Sequence, residues 1–598
     1  MANRDDMMHE LLYGDMLTTP NYDVDFAIGT TYSLDFKALL IVPYSLGMFG
    51  DLNDNVKRSP LFLLESIRRS SDHFALFCHR GGIHLPHEVH NYYSLLEDSI
   101  FEVHNKQNPE ANFHPKIWII KEYHYENHDD KQLKVIVMSK NLGLDNNLDM
   151  VVSMTGKINT NNSQNTHRHQ PLKDFLFTLA DYAKDAKKRK RILDIANDLM
   201  HVKAFEMDDT RFEPNEYEFI PFWFGECLNK RTKFPDTFQG QSVMTISPFI
   251  DESTLNEMNA LVKNHGTKTL VTRAEYVSPA IFEQYETENG SIYVMNDQMT
   301  SNDYQPIDLH AKTYFISNSR DDNRLLIGSA NATKAAFHRN TEFVLSLKLK
   351  NGNRLLERFK REFLQMDDYG ESLMYEPMMV PNEACEKHGR SELEKDMCQV
   401  LCYSYKASVE CGENALYRIT VNTNIKTLKT PINIAPLQVP NMALPLESTV
   451  VFDHIPLAKL SEFYILTAHQ DEQHWQEVIK ISTTGIPKER NDEIFRGIVN
   501  TKDKFYNYIS FMLCEDPEEY IFELEQAEKA LKQNEGNAQI VMPQRIYEQM
   551  LKMTVKNPAA LERLEDVARI VNDKDYAQDF NVLYAQFKPL IPKLKQLL

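Results

Sequence analysis

The apolar positions of this chain fall into short runs, separated by stretches of helical length. Residues 25–32 read as a strand and lead into an apolar helical stretch from Leu34, which Pro43 is expected to end or kink. Residues 61–69 read as a helix with Pro60 at its start, and residues 74–78 as a second buried strand. Strands around His114 and Val135 follow. Strands alternating with helices are the pattern of an α/β layer. Residues 157–170, rich in Asn, Thr, Ser, Gln and His, read as a polar loop, and residues 171–204 as helical. From Gln241 the pattern restarts, with a strand at 242–249, a helix at 253–263, strands at 269–272 and 291–295, then strands at His310 and Leu325. The period is far above that of solenoid repeats, so the expectation is a duplicated α/β domain.

From about residue 380 the texture changes. Residues 416–421, 448–452 and 462–466 suggest a small β module, with prolines between 431 and 445 marking loops or edges. From about 489 the reading is helical. Leu561, Leu564, Val567, Ala568 and Val571 share one face of a helix opening near Pro558. The acidic run 515–519 reads as a surface loop. The expected organisation is a loose N-terminal segment (1–24), two α/β halves (25–205 and 206–375), a β-rich module (376–486) and a helical C-terminal domain (487–598).

Composition narrows the picture. In 598 residues, 42% apolar and 25% charged content fits a soluble globular protein. The net charge of −20 does not suit a non-specific nucleic-acid coat, which needs clustered Lys and Arg, yet it permits a locally basic cleft. The run from Lys184 to Arg191 reads as a solvated helix face or, functionally, a phosphate-tracking edge. The acidic start lacks a leader pattern, no stretch is long enough to span a bilayer about 30 Å thick, and the seven cysteines form no disulfide framework. A cytoplasmic location is expected, with no membrane partner.

The chemistry lies in a repeated constellation. His114-Pro-Lys116 precedes Ser139-Lys-Asn141 and then Asp149; His310-Ala-Lys312 precedes Ser329-Ala-Asn331 and then Glu342. A neutral imidazole can attack phosphorus and split one hard displacement into two easier ones. A second imidazole can protonate the leaving oxygen and then activate water. Two lysines supply fixed positive charge, Asn and Ser add neutral donors, and a carboxylate behind each His fixes its tautomer. No metal or cofactor is required. Two halves facing one another would complete the set in one cleft.

This pattern resembles the phospholipase D superfamily over roughly residues 25–350. The resemblance implies two α/β domains related by a pseudo-twofold axis, mixed sheets flanked by helices, and a shared site. That site would use His114, Lys116, Asn141, His310, Lys312 and Asn331, supported by Ser139, Ser329, Asp149 and Glu342. It implies His114 as nucleophile and His310 as general acid, though near symmetry leaves the order open. The family's Asp, which follows the Lys after four intervening residues, is replaced by Lys121 in one copy and Ser317 in the other. Classical lipid-cleaving members keep that Asp and some DNA-processing members lack it, which tilts the substrate toward DNA.

The expectation is therefore a metal-independent phosphodiesterase acting on DNA through a phosphohistidine, in bacterial anti-phage defence. Its C-terminal modules are expected to recruit a helicase or other ATPase, or a second copy. The alternatives are a phospholipid hydrolase or transphosphatidylase, or a catalytically silent scaffold of a nucleic-acid-processing complex. Other candidates carry blander readings. Cys385, Cys398, Cys402 and Cys411 with His388 read as buried structural cysteines rather than a zinc site. The loop at His79-Arg80-Gly81-Gly82 reads as packing or as a substrate contact. Residues 167–169 (His-Arg-His) read as a solvated loop. Trp118 and Tyr314 read as packing beside the site rather than base-stacking platforms.

Overall fold

The computed structural model describes residues 16–46, 60–105, 108–143, 147–159, 167–222, 238–296, 307–319, 322–350, 354–382, 392–425, 430–470, 473–514, 520, 546–556, 558–572 and 574–590. The first sheet has the order β3-β2-β1-β4-β5-β6. Its strands are β1 (Tyr22–Thr31), β2 (Phe74–His79), β3 (Ile100–Val103), β4 (Ile117–His124), β5 (Lys131–Met138) and β6 (Val151–Lys157). The first three run parallel and the last three are antiparallel. The second sheet has β8 (Ser242–Ile246), β9 (Lys268–Thr272) and β10 (Gly290–Met295) parallel. Against them lie β11 (Thr313–Ser319), β12 (Asp322–Gly328) and β13 (Glu342–Leu349), antiparallel. Two edge strands, β7 (Phe212–Phe222) and β14 (Tyr375–Pro377), extend it to eight. The six inner strands thus repeat the order and sense of the first sheet.

Strand alternation explains how the sheets meet. Phe26, Ile28, Ile117, Ile119 and Val135 from one face of the first sheet share a core with Ile246, Phe315, Leu325, Ile327 and Leu345 from the second. The opposite faces are covered by helices. α1 (Phe36–Leu46) and α2 (Pro60–Ser70) lie over the first sheet; α5 (Glu252–Ala260) and α6 (Pro279–Tyr285) lie over the second. The helices α3 (Gln170–Ala180) and α4 (Ala186–Asp198) add Phe175 and Ile192 to the shared core.

Further along, α7 (Glu392–Leu401) and two four-stranded sheets built from residues 405–484 share a separate core. Leu64 of α2 joins a third apolar cluster with helices Glu489–Ile498, Lys502–Met512, Ile546–Lys556, Pro558–Ile570 and Gln578–Phe587. Leu437, Phe463, Ile465 and Val478 pack on the outer face of the first sheet. A buried ion pair from Arg490 to Glu97, 2.7 Å, ties the same interface. Leu561, Leu564, Val567 and Val571 are fully buried on one helix face, as their spacing suggests.

Several local expectations are corrected. Of the two outcomes expected at Pro43, ending is excluded, because α1 runs through it. Residues 16–24 are not loose: β1 begins at Tyr22, Leu17 is buried, and Lys134 donates to the Thr18 carbonyl. The 167–169 stretch is not a solvated loop throughout, because His169 is buried and bonds the Leu199 carbonyl and the Tyr217 hydroxyl. The basic run on α4 is not a continuous cationic edge. Lys188 is buried on Ser71 and Ser99, Arg189 pairs with Asp181 and Arg191 with Asp25. Burial lowers the Lys188 ammonium to about 8. Cys398 and Cys402 are half-buried and Cys411 is exposed, so none is a core cysteine; Cys385, His388 and the 515–519 run lie outside the described residues. Among the described residues no group of three or more His, Cys, Asp and Glu side chains is placed to hold a metal ion.

Candidate active site

Parallel strands leave their carboxyl ends open to ligands. All the motif residues gather there, because β4 and β11 begin, and β5 and β12 end, at the edge where β1, β2, β8 and β9 finish. His114 and Lys116 sit just before β4, and His310 and Lys312 just before β11, in extended segments rather than on the strands themselves. Pro115 holds His114 extended. Those segments find their hydrogen bonds in the other sheet. The His114 N–H donates to the Thr341 carbonyl at 2.9 Å and the His310 N–H to the Leu148 carbonyl at 3.1 Å. Phe113 bridges Thr341, and Leu309 bridges Leu148. The residue before each histidine therefore pairs with the residue before the other copy's carboxylate.

This crossing decides which carboxylate serves which histidine. Glu342, from the second copy, lies 2.8 Å from Nδ1 of His114, in the first. The two carboxylates do not act alike. Asp149 takes the Ser139 N–H at 3.1 Å, the Met150 N–H at 2.7 Å and the Ser139 hydroxyl. It makes no bond to His310. His310 Nδ1 instead faces the Lys312 ammonium at 3.2 Å. In parallel fashion the Ser329 hydroxyl donates to Glu342. Each serine thus braces the carboxylate of its own copy.

The two lysines are buried, 1% exposed each. Lys116 donates to the His114 carbonyl at 2.9 Å; Lys312 donates to the His310 carbonyl at 2.7 Å and the Ser139 carbonyl at 3.3 Å. Burial, and then the charge of Lys312, drives the Lys116 ammonium well below its usual range. Burial and both lysines likewise hold His114 well below 6.5, so its ring is neutral. His310 is pushed down by burial and by Lys312, Lys116 and His114, and is neutral too. Burial raises Asp149, and pushes Glu342 up to about 8 against the pull of Lys116.

Both asparagines reach this edge. Asn141 carries a buried amide oxygen without a hydrogen-bond partner, whereas the Asn331 oxygen lies 3.5 Å from the Ser247 hydroxyl. Two hydroxyls that motif reading overlooked hold the Ser-x-Asn turns. Thr31, at the end of β1, accepts the Leu142 N–H at 3.0 Å, and Ser247, just past β8, accepts the Ala332 N–H at 3.0 Å. Each donates to the carbonyl two residues on. A polar residue ending an apolar strand was the only signal for them. Gly328 is required where β12 meets β13: a Cβ there would lie 2.2 Å from the Phe343 carbonyl oxygen.

The remaining candidates fall outside the site. Lys121 pairs with Asp198 of α4 at 2.6 Å, and Ser317 sits in the ladder of β11. Trp118 and Tyr314 are 1% exposed in the apolar layers beneath the helices and are not stacking platforms.

Residues 242–366 match the family model described as cardiolipin synthase, PLD-like domain. Yeast tyrosyl-DNA phosphodiesterase is similar in structure at 14% identity, over 57% of this chain and 86% of that one, with a TM-score of 0.34. Phosphatidylserine synthase of Haemophilus influenzae aligns at 12% identity over 63% of this chain and 88% of that one, TM-score 0.35. NucT from Helicobacter pylori aligns at 15% over 25% of this chain and 94% of that one, TM-score 0.20. No curated protein sequence matches the chain.

Proposed function

We propose that this chain, a member of the phospholipase D superfamily, is a phosphodiesterase that cleaves DNA through a covalent phosphohistidine. The observation that carries the reading is the 2.8 Å bond between His114 and Glu342, which joins the two motif copies into one composite site. His114 donates Nδ1–H to the Glu342 carboxylate, so its Nε2 lone pair is the one available to phosphorus. The bond from the phosphorus to the leaving oxygen breaks as the bond to Nε2 forms. His310 supplies the proton. The Lys312 ammonium on its Nδ1 fixes the tautomer with the hydrogen on Nε2. As that proton passes to the leaving oxygen, Lys312 returns one through Nδ1 and the ring stays neutral. In the second step water attacks phosphorus, its proton returns to Nε2, Nδ1 gives its proton back to Lys312, and His114 is released. Lys116 and the Asn141 and Asn331 amides stabilise the phosphoryl oxygens as charge shifts onto them.

The choice of DNA rests on the motif pattern lacking the family Asp in both copies. Two lobes, 25–205 and 206–375, would grip the substrate between them. A role in anti-phage defence, with an ATPase or second copy recruited by the C-terminal modules that pack on the outer face of the first sheet, rests on the resemblance alone. Cleavage of labelled single- and double-stranded DNA in EDTA, lost in His114→Ala and His310→Ala, tests the activity. A phospholipid reading is favoured by one observation. A cleft of about 290 Å³ is lined by Met150, Val151, Leu325, Ile327 and Phe359, with Arg211 and Arg358 also in its wall, an apolar surface with cations that suits a lipid. Turnover of phosphatidylglycerol vesicles with no cleavage of DNA would establish that reading instead. Among the described residues no helix is long and apolar enough to cross a membrane.

A further inference from the structure

His79 ends β2, beside the segment that carries His114. Its Nδ1 accepts the Phe113 N–H at 3.2 Å. Phe113 immediately precedes His114, and its other flank is held by Thr341. The His79 ring also stacks on Tyr32, with centroids 5.1 Å apart and planes 20° from parallel. Tyr32 in turn meets the His114 ring edge-on at 5.3 Å. His79 therefore reaches the His114 segment twice, once through its backbone and once through its ring.

The loop bearing His79 is itself held rigidly. The His79 N–H donates to the Tyr32 carbonyl at 3.2 Å, the Gly82 N–H to the His79 carbonyl at 2.9 Å, and the Leu34 N–H to the Gly82 carbonyl at 2.8 Å. Gly81 has φ +76°, and Leu401 of α7 fills the space a Cβ would need. The Arg80 guanidinium lies over the Tyr405 ring at 5.4 Å.

The second sheet repeats the arrangement with different chemistry. Arg273, just past β9, stacks over Phe249 at 5.0 Å and donates to the Leu309 carbonyl at 3.1 Å, beside His310. It also pairs with Asp308 at 2.7 Å. Two unrelated side chains thus occupy the same place in the topology. Each is stacked on an aromatic ring, and each is bonded to the backbone next to a motif histidine.

We propose that His79 is a positioning residue for His114, fixing the approach of its Nε2 to phosphorus through the Phe113 N–H and the Tyr32 ring. The proposal rests on the phosphodiesterase reading above. Only a neutral His79 accepts that N–H, with its own proton on Nε2. A displacement of the nucleophile by a fraction of an ångström is felt in the chemical step and not in binding.

The test compares His79→Ala with His79→Asn, whose amide oxygen keeps an acceptor near the Nδ1 position, and with His79→Gln, which moves it. The probe is the p-nitrophenyl ester of thymidine 5′-phosphate, followed in single turnovers for the chemical step and in steady state for KM and kcat. The Ala and Gln variants are expected to slow the chemical step about 10- to 100-fold at unchanged KM, with Asn recovering most of the loss. A second readout needs no turnover: acylation of His114 by diethyl pyrocarbonate, mapped by mass spectrometry. It should change in Ala and Gln and return toward the wild-type rate in Asn. A raised KM at unchanged kcat would make His79 a substrate contact, and unchanged rates in both readouts would remove its role; either overturns the proposal. Should the wild type prove inactive on the probe, the phosphodiesterase reading fails, and the acylation rates alone decide whether His79 positions His114.

Discussion

Glu342 and His114 stand 228 positions apart and meet at 2.8 Å. The carboxylate belongs to the second motif copy and the imidazole to the first, so neither copy holds a complete histidine–carboxylate pair of its own. The opposite pair is not formed, because Asp149 is occupied by Ser139 and Met150. This asymmetry distinguishes two histidines that look alike in sequence, and the predictions follow from it.

Glu342→Gln should separate stability from activity. The folded state holds the Glu342 pKa at about 8, against an ordinary value of 4.5. Between those values the folded protein binds a proton that the unfolded chain has released, so the wild type loses stability as pH rises. Gln does not titrate. The variant's advantage in thermal midpoint should therefore grow from about pH 4.5 to 8 and then level off, while its turnover falls below the wild type's above about pH 8, where the wild-type carboxylate is ionised. Melting curves across that range check the first part and initial rates the second.

The covalent step should speed up with pH until Glu342 is ionised, near pH 8, because the Nδ1–H of His114 needs a carboxylate to accept it. Single-turnover rates measured from pH 5.5 to 9 test this. Glu342→Gln, whose amide oxygen accepts without titrating, should flatten the rise.

Two buried lysines, whose pKa values an anion would raise, and two neutral histidines make the cleft an anion trap. Inorganic vanadate or phosphate should raise the melting temperature, with a gain of about 2.7 kcal/mol at 100 times the dissociation constant. Lys116→Met should abolish that shift. It should also leave the ligand-free protein no less stable than the wild type, since it removes a buried charge whose partner, Glu342, is itself raised toward neutrality.

Asp149→Ala is expected to destabilise the fold more than Glu342→Gln. One Asp149 oxygen accepts two backbone N–H groups and a hydroxyl, and Ala leaves all three without that acceptor; the cost is about 1–3 kcal/mol. Urea midpoints of the two variants at one pH give the comparison.

Much of the candidate site was legible in the sequence. The two His-x-Lys and Ser-x-Asn copies, their strand–helix surroundings and the duplicated order of elements all depend on local pattern. The crossing of Glu342 to His114 was not legible, since motif order along the chain says nothing about which sheet edge pairs with which. Nor were Thr31, Ser247 and Arg273, which are ordinary residues at strand ends until the turns they brace are seen. His79 carried a hint only through its place after a buried strand. Nor could the sequence show the partner of Lys121, which stands in the place of the family Asp and forms an ion pair with Asp198. His169 and Lys188 read as solvated because they sit among polar neighbours, yet each finds buried partners from distant segments.

The most direct measurement is a trap for the covalent intermediate. Labelled DNA, or the p-nitrophenyl ester used above, is mixed with the protein in EDTA, quenched in denaturant at alkaline pH and digested for mass spectrometry. The account predicts a phosphoryl adduct on the peptide containing His114. It should be absent from His114→Ala and, with the p-nitrophenyl ester, whose leaving group needs no proton, should accumulate in His310→Ala, where water is no longer activated. An adduct mapped to His310, or cleavage that proceeds at the wild-type rate in His114→Ala, would contradict it.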